Sequence, residues 1–137
     1  MEYAIGILLA LIVTGGATAV GFDRERVFYP CVSIVVATYY ILFAAMGDSA
    51  RVVIAESVAA GVFLMLSVIG FKSTLWLVAI ALGGHGLFDF VHHLMIDNLT
   101  APVWWPGFCL AFDVSAAGYL AALLTKRPHL ARQAGPM

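Results

Sequence analysis

The chain has 137 residues, of which 63% are hydrophobic and 11% are charged, and its formal net charge is −1. A water-soluble domain would carry about a quarter charged residues, so this composition, with a mean hydropathy of +0.99, indicates that very little of the chain lies in water. It has no basic stripe of the kind that binds nucleic acid, which excludes nucleic acid as a partner.

Five apolar stretches follow one another along the chain, separated by short polar breaks. They cover about residues 3–22, 28–46, 52–71, 74–96 and 106–124. Each is close to the roughly 20 residues that a helix needs to cross about 30 Å of hydrocarbon, where a helix satisfies its own backbone hydrogen bonds. The sequence therefore predicts an all-α polytopic membrane helix bundle of about five transmembrane helices over residues 1–125, embedded in a lipid bilayer.

The first stretch has one feature of a cleaved signal peptide, because Ala17-Thr18-Ala19 has the small residues of a cleavage site. A secretory signal begins with a basic region, however, and no Lys or Arg lies between Met1 and the apolar residues. We therefore predict that this stretch stays in the protein as a membrane span.

The Lys and Arg residues predict how the bundle is oriented. One side would carry six of them: Arg24, Arg26, Lys72, Lys126, Arg127 and Arg132. The other side would carry only Arg51. Because basic loops stay in the cytoplasm, we predict a bacterial inner-membrane protein with a periplasmic N-terminus and a cytoplasmic basic tail over residues 126–137. Cys31 of the second stretch and Cys109 of the fifth would then lie near opposite faces, as free thiols.

The fourth stretch contains the most informative segment of the chain. At 100° per residue, His85, Asp89, His92 and His93 fall on one helical arc of about 100°. At 1.5 Å per residue, Asp89 lies about 10 Å and His85 about 16 Å below the outer end of this span. Four ionisable side chains on one face of a span are costly unless they meet partners inside the bundle.

Further polar residues reach a similar depth on neighbouring spans. Glu56 lies about 6 Å below the outer end of the third span, and Asp113 lies about 10 Å below that of the fifth, with Cys109 above it on the same face. Tyr39 and Tyr40 of the second span come to this level as well. We expect the carboxylates to converge with the histidines in the outer half of the bundle.

Such a set of imidazoles and carboxylates is typical of a zinc or iron site, and manganese is a further candidate. The predicted metal ligands are His85, Asp89, His92, His93, Asp113 and Glu56. A carboxylate of Glu56 or Asp89 would act as general base on a bound water. Which of the two adjacent histidines faces the site stays open, as does a part for Cys109. A metal-free network of paired side chains, or a proton relay, would also bring these residues together.

The block His85-x-x-x-Asp89-x-x-His92-His93, followed by Cys109 and Asp113, resembles a bacterial family of small integral membrane proteins of unknown function. The resemblance covers roughly the last 40 residues of the chain, and it implies a site in the membrane without naming a reaction. The same block is faintly similar to the histidine motifs of seven-span membrane zinc hydrolases, a group that includes ceramidases.

The leading hypothesis is a metal-binding integral membrane protein that works as a zinc- or iron-dependent hydrolase on a lipid or a small apolar substrate. A proton or divalent-cation transporter or channel is an alternative, although the charged residues stop in the outer half of the predicted bundle. An accessory or metal-sensing subunit of a larger complex is another. The sequence leaves a homo-oligomer open in each case.

Overall fold

The structure, a computed structural model, describes residues 1–47 and 49–132. Five long helices make up most of this part of the chain: α1 (Glu2–Val20), α2 (Phe28–Ala45), α3 (Ala50–Lys72), α4 (Leu75–Val91) and α5 (Trp105–Lys126). All five are long and apolar enough to cross a membrane, α4 together with the turn that follows it. The predicted all-α polytopic bundle is confirmed, and its orientation stays a prediction.

Local sequence signals set the ends of the helices. Gly21 ends α1 in the left-handed conformation, with a φ of 86°, which glycine adopts readily because it has no Cβ. Ser49 and Thr74 cap α3 and α4, since their hydroxyl oxygens accept hydrogen bonds from the backbone N–H groups of Val52 and Trp76. Only a few residues connect α2 to α3 and α3 to α4. Connections this short make consecutive helices antiparallel.

The helices pack side by side in the order α1, α5, α4, α3, α2, and α2 also contacts α4 and, through the rings of Tyr39 and Phe43 against Trp105, α5. The most buried helices are α4 and α5, at the centre of this row. Glycines allow the backbones to approach closely, because a Cβ added to Gly6 of α1 would lie 2.5 Å from the carbonyl oxygen of Phe108 on α5. In lipid, close packing at small residues is a main force that holds helices together.

The bundle has two ends, which we call the N-terminal face and the C-terminal face. The N-terminal face carries Met1, the α2–α3 turn and the α4–α5 loop, and the C-terminal face carries the other connections. At the N-terminal face, α4 ends at Val91 and a 3-10 turn over His92–Leu94 follows. The predicted span continues as a regular helix to about Ile96, so the chain departs from that geometry at His92.

The segment after α5 closes the C-terminal face. The Arg26 guanidinium donates hydrogen bonds to the carbonyl oxygens of Leu130 at 2.6 Å and Phe71 at 2.9 Å. The side chain of Leu130 is buried. The first part of the predicted basic tail, up to residue 132, therefore packs on the bundle, while residues 133–137 lie outside the described residues.

Candidate metal centre

A histidine and two aspartates meet between α4 and α5. His85 and Asp89 are one turn apart on α4, so their side chains lie on the same face, and Asp113 approaches them from α5. His85 Nδ1 lies 2.7 Å from Asp113 Oδ2 and 3.6 Å from Asp89 Oδ2. No more than 2% of any of the three residues is exposed. We call these three side chains the buried cluster.

Close contact between α4 and α5 brings the buried cluster together. A Cβ added to Gly86 would lie 3.0 Å from the Cβ of Asp113 and 3.2 Å from the carbonyl oxygen of Leu110. Only glycine at this position lets α5 come near enough for Asp113 to reach His85. The imidazole of His85 also packs edge-on against Phe63 of α3, with 4.9 Å between ring centroids.

Several buried polar atoms around the cluster have no hydrogen-bond partner among the described residues. They are both carboxylate oxygens of Asp89, Oδ1 of Asp113 and the phenol oxygen of Tyr40. The Cys109 thiol lies close enough to Asp89 for an S–H···O contact, but an S–H group is a weak donor and does not replace a full hydrogen bond. Because buried polar groups in native proteins are nearly always partnered, these atoms point to a polar or charged ligand.

The ligand atoms of the buried cluster have a spacing that suits a metal ion. One atom from each of His85, Asp89 and Asp113 can be chosen so that all three lie within 4.8 Å of one another. Ligands about 2.0–2.1 Å from a tetrahedral zinc ion lie roughly 3.3 Å apart, so small side-chain rotations would suffice. Within residues 1–47 and 49–132, no other group of three His, Cys, Asp or Glu side chains meets this spacing.

A second pair of ionisable side chains lies nearer the N-terminal face. His92 Nε2 lies 2.9 Å and 3.1 Å from the two carboxylate oxygens of Glu56, and Asn98 Nδ2 donates a hydrogen bond to Glu56 Oε1 at 2.8 Å. The ring of Tyr40 stacks on the His92 imidazole, with 4.0 Å between centroids. Neighbouring side chains therefore satisfy this buried pair without an ion.

The structure places the six predicted ligands in three environments. Three of them form the buried cluster: His85, Asp89 and Asp113. Glu56 and His92 form the second pair, and His93 is exposed. A 3-10 turn advances about 120° per residue instead of 100°, which carries His93 off the predicted arc. The predicted part of Glu56 and His92 in metal binding or acid–base catalysis stays a prediction.

Two residues beside the site had no predicted role. Tyr40 reaches the expected depth, but depth alone did not distinguish it from Tyr39. Asn98 lies in the loop after α4, where no helical periodicity marks it. Cys109 is buried beside Asp89, while Cys31 is exposed, and both are free thiols in the structure.

Two cavities border the site. The apolar cavity, of about 440 Å³, lies between α1, α2 and α5, and Cys109 and Phe112 contribute to its wall. The N-terminal vestibule, of about 410 Å³, has a more polar lining at the N-terminal face that includes Tyr40 and His92. Since Cys109 also neighbours Asp89, a single side chain separates the apolar cavity from the buried cluster.

Comparisons with models of known protein families, with curated proteins and with solved structures gave no match. The function of this chain therefore has to be inferred from its site. The relevant observations are the unpartnered atoms of the buried cluster, the second acid–imidazole pair and the two cavities.

Proposed function

We propose that this chain is an integral membrane protein that binds one divalent transition metal ion through His85, Asp89 and Asp113. Three buried carboxylate oxygens carry this proposal, because both oxygens of Asp89 and Oδ1 of Asp113 lack a hydrogen-bond partner in the described part of the chain. A charged aspartate in hydrocarbon costs about 2.5–3.5 kcal/mol even on the gentler insertion scale. A cation would supply the partner that these oxygens lack.

Charge balance favours a divalent ion. The carboxylates of Asp89 and Asp113 carry two negative charges and a neutral imidazole carries none, so one divalent cation brings the cluster to zero. Uncompensated charge is expensive in a low-dielectric interior. A metal-free cluster is also neutral if His85 is protonated beside ionised Asp113 and Asp89 is protonated. That arrangement leaves the carboxyl group of Asp89 without a strong partner, which is why we favour the metal.

The ligand set suits zinc first, and iron or manganese next. All three ions accept imidazole and carboxylate ligands. Three protein ligands leave a coordination position for water or substrate, as catalytic zinc sites do. A bound divalent ion polarises a substrate carbonyl and lowers the pKa of water, and both effects favour hydrolysis.

We further propose that the ion serves hydrolysis of a lipid or a small apolar substrate. The apolar cavity supports this, since its volume of about 440 Å³ falls in the usual range for small-molecule sites and its wall includes Cys109, beside Asp89. Glu56, paired with His92, is an acid–base group within electrostatic range of Asp89 and would accept the proton of the attacking water. Asp89, the other predicted base, is a ligand in this arrangement.

A proton relay is the second candidate, and one observation favours it. Tyr40 stacks on His92, and the carboxyl groups of Glu56 and Asp89 lie within electrostatic range of its phenol. Two acid–imidazole pairs therefore flank one phenol, as in a chain that passes protons. We rank the relay second because the buried side chains of α4 and α5 beyond His85, toward the C-terminal face, are apolar, and the buried Ser33–Ser67 hydroxyl pair on that side has no titratable group.

Metal analysis of gently purified protein tests the proposed centre. We expect about one zinc or iron ion per chain in the wild type, and its loss in His85→Ala, Asp89→Asn and Asp113→Asn. The His129→Ala variant, which removes an exposed imidazole at the C-terminal face, is the control and should keep the ion. Occupancy should fall in acid, because a ligating imidazole must be neutral. Wild-type protein that stays metal-free after incubation with zinc, iron and manganese would contradict the proposal.

The hydrolytic role needs a separate test. Metal-loaded protein in phospholipid vesicles should release fatty acid, and a chelator should stop the release. The Glu56→Gln variant should lose this activity at an unchanged metal content, since it removes the base and no ligand. Release of fatty acid at the wild-type rate by metal-loaded Glu56→Gln would rule out Glu56 as the base.

A further inference from the structure

The N-terminal vestibule carries metal-ligating side chains at two levels. His93 and Asp97, both exposed, line its mouth together with Glu2. Tyr40 and His92 line its floor, and each is only 3% exposed. A cation that arrives from water would therefore meet imidazole and carboxylate groups first at the mouth and then at the floor.

The floor of the vestibule stands between water and the buried cluster. Tyr40 and His92 stack with 25° between their ring planes, which leaves no space for an ion between them. The phenol oxygen of Tyr40 is buried without a hydrogen-bond partner in the described residues. The carboxyl groups of Asp89 and Asp113 lie within electrostatic range of this phenol. Tyr40 thus borders the vestibule and faces the charges of the cluster.

The other approaches to the cluster offer no charged ligand next to it. Toward the C-terminal face, the buried Ser33–Ser67 hydroxyl pair carries no carboxylate, and the buried side chains of α4 and α5 beyond the cluster are aliphatic, among them Val78, Leu82, Leu120 and Leu124. The apolar cavity is lined mainly by hydrocarbon and aromatic groups and offers no carboxylate. A divalent ion would lose its hydration on either path without gaining a carboxylate ligand, which is costly in hydrocarbon.

We propose that the N-terminal vestibule is the path by which a divalent cation reaches the buried cluster, with the stacked Tyr40–His92 pair as the barrier on this path. This path rests on the proposed metal centre, and it specifies that the ion enters from the N-terminal face. The Asp97 carboxylate raises the local concentration of cations at the mouth, as a cleft lined by complementary charge does, and the neutral His93 imidazole offers a ligand there. His93 then belongs to the path and not to the final ligand set.

Zinc loading from the two sides of a membrane tests the path. Metal-free protein is placed in sealed vesicles, and an affinity tag at the C-terminus sorts them by orientation. Zinc is added outside, the reaction is stopped with an impermeant chelator, and the zinc per chain is measured at successive times. We expect loading from the N-terminal face to be at least about tenfold faster than loading from the C-terminal face, given the steering expected of a charged cleft.

Two exposed substitutions separate the path from the final site. Asp97→Asn and His93→Gln should each slow loading from the N-terminal face by about threefold to tenfold. The slower rate of Asp97→Asn should depend less on ionic strength, because screening acts on the removed charge, whereas His93→Gln removes a neutral ligand and should keep the salt dependence of the wild type. The final zinc content should be unchanged. Glu25→Gln removes an exposed carboxylate at the C-terminal face and should leave the rate unchanged.

The outcomes distinguish the path from the metal centre. Equal loading from both faces, or unchanged rates in both mouth variants, would overturn the path and leave the centre intact. A reduced final zinc content in His93→Gln would also overturn it, since His93 would then be a ligand. Wild-type protein that binds no zinc from either side would remove the metal centre and the path with it.

Discussion

Replacing Gly86 by alanine should force α4 away from α5 at the candidate metal centre. The new Cβ would lie 3.0 Å from the Cβ of Asp113, whereas carbon atoms in ordinary contact are about 3.5–4 Å apart. The two helices must therefore separate locally by about 0.5–1 Å. His85 Nδ1 and Asp113 Oδ2 are 2.7 Å apart. With this separation added, the distance becomes about 3.2–3.7 Å, which is at or beyond the limit of a hydrogen bond.

The energetic effect follows from the same geometry. Inserting a methyl group into a well-packed interior costs about 1–3 kcal/mol, and removing a glycine from a helix returns about 0.5–1 kcal/mol. The central values of the two ranges leave a net loss of about 1 kcal/mol, which would lower zinc affinity roughly fivefold to tenfold if it falls on the bound state. Competition with a zinc chelator measures the affinity, and thermal unfolding in detergent measures the stability.

Gly84→Ala is the matched control on the same helix. Its Cβ would come no closer than 3.9 Å to a neighbouring atom, on the ring of Phe63, so α4 and α5 need not move. Equal zinc affinities for Gly84→Ala and Gly86→Ala would refute the reasoning, because the contact at Gly86 would then not control the geometry of the cluster.

Three other predictions concern the bundle itself. Gly6→Ala, whose Cβ would meet the Phe108 carbonyl, should lose about 1–3 kcal/mol of stability to denaturant in detergent. Gly15→Ala should lose none, because a Cβ on Gly15 would have no atom within 4 Å. Equal losses would contradict the α1–α5 contact. Arg26→Gln should speed proteolysis near Leu130 at an unchanged zinc content, because Arg26 donates to the Leu130 carbonyl; wild-type proteolysis would show that this contact does not hold the segment. A reporter at the C-terminus should be active in the cytoplasm, and activity only in the periplasm would contradict the orientation predicted from Lys and Arg.

The helices could be predicted because hydrocarbon imposes one requirement on every span. A segment that crosses it must be apolar and about 20 residues long, so composition alone located α1 to α5 within a few residues. The packing of residues 127–132 could not be predicted in this way. It depends on Arg26, about a hundred positions away in the chain, and on the carbonyl of Leu130, which carries no sequence signal.

The site could be predicted only in part, for two physical reasons. Helical periodicity gave the common face of His85 and Asp89, but it does not say which neighbouring helix meets that face. In the structure, Asp113 of α5 pairs with His85, and Glu56 of α3 pairs with His92. The periodicity also assumes a regular helix, and it failed at His93 because the chain changes to a 3-10 turn.

The contact between α4 and α5 has a consequence for how the protein enters the membrane. Each of the two helices carries an aspartate well inside its span, and each alone would bear about 2.5–3.5 kcal/mol of insertion cost for it. Only when both are present can the His85 imidazole meet the Asp113 carboxylate, 2.7 Å away. The α4–α5 hairpin is thus the unit in which the insertion cost of both aspartates falls. We expect the fourth span to be held more firmly in the bilayer once ribosomal synthesis has added the fifth.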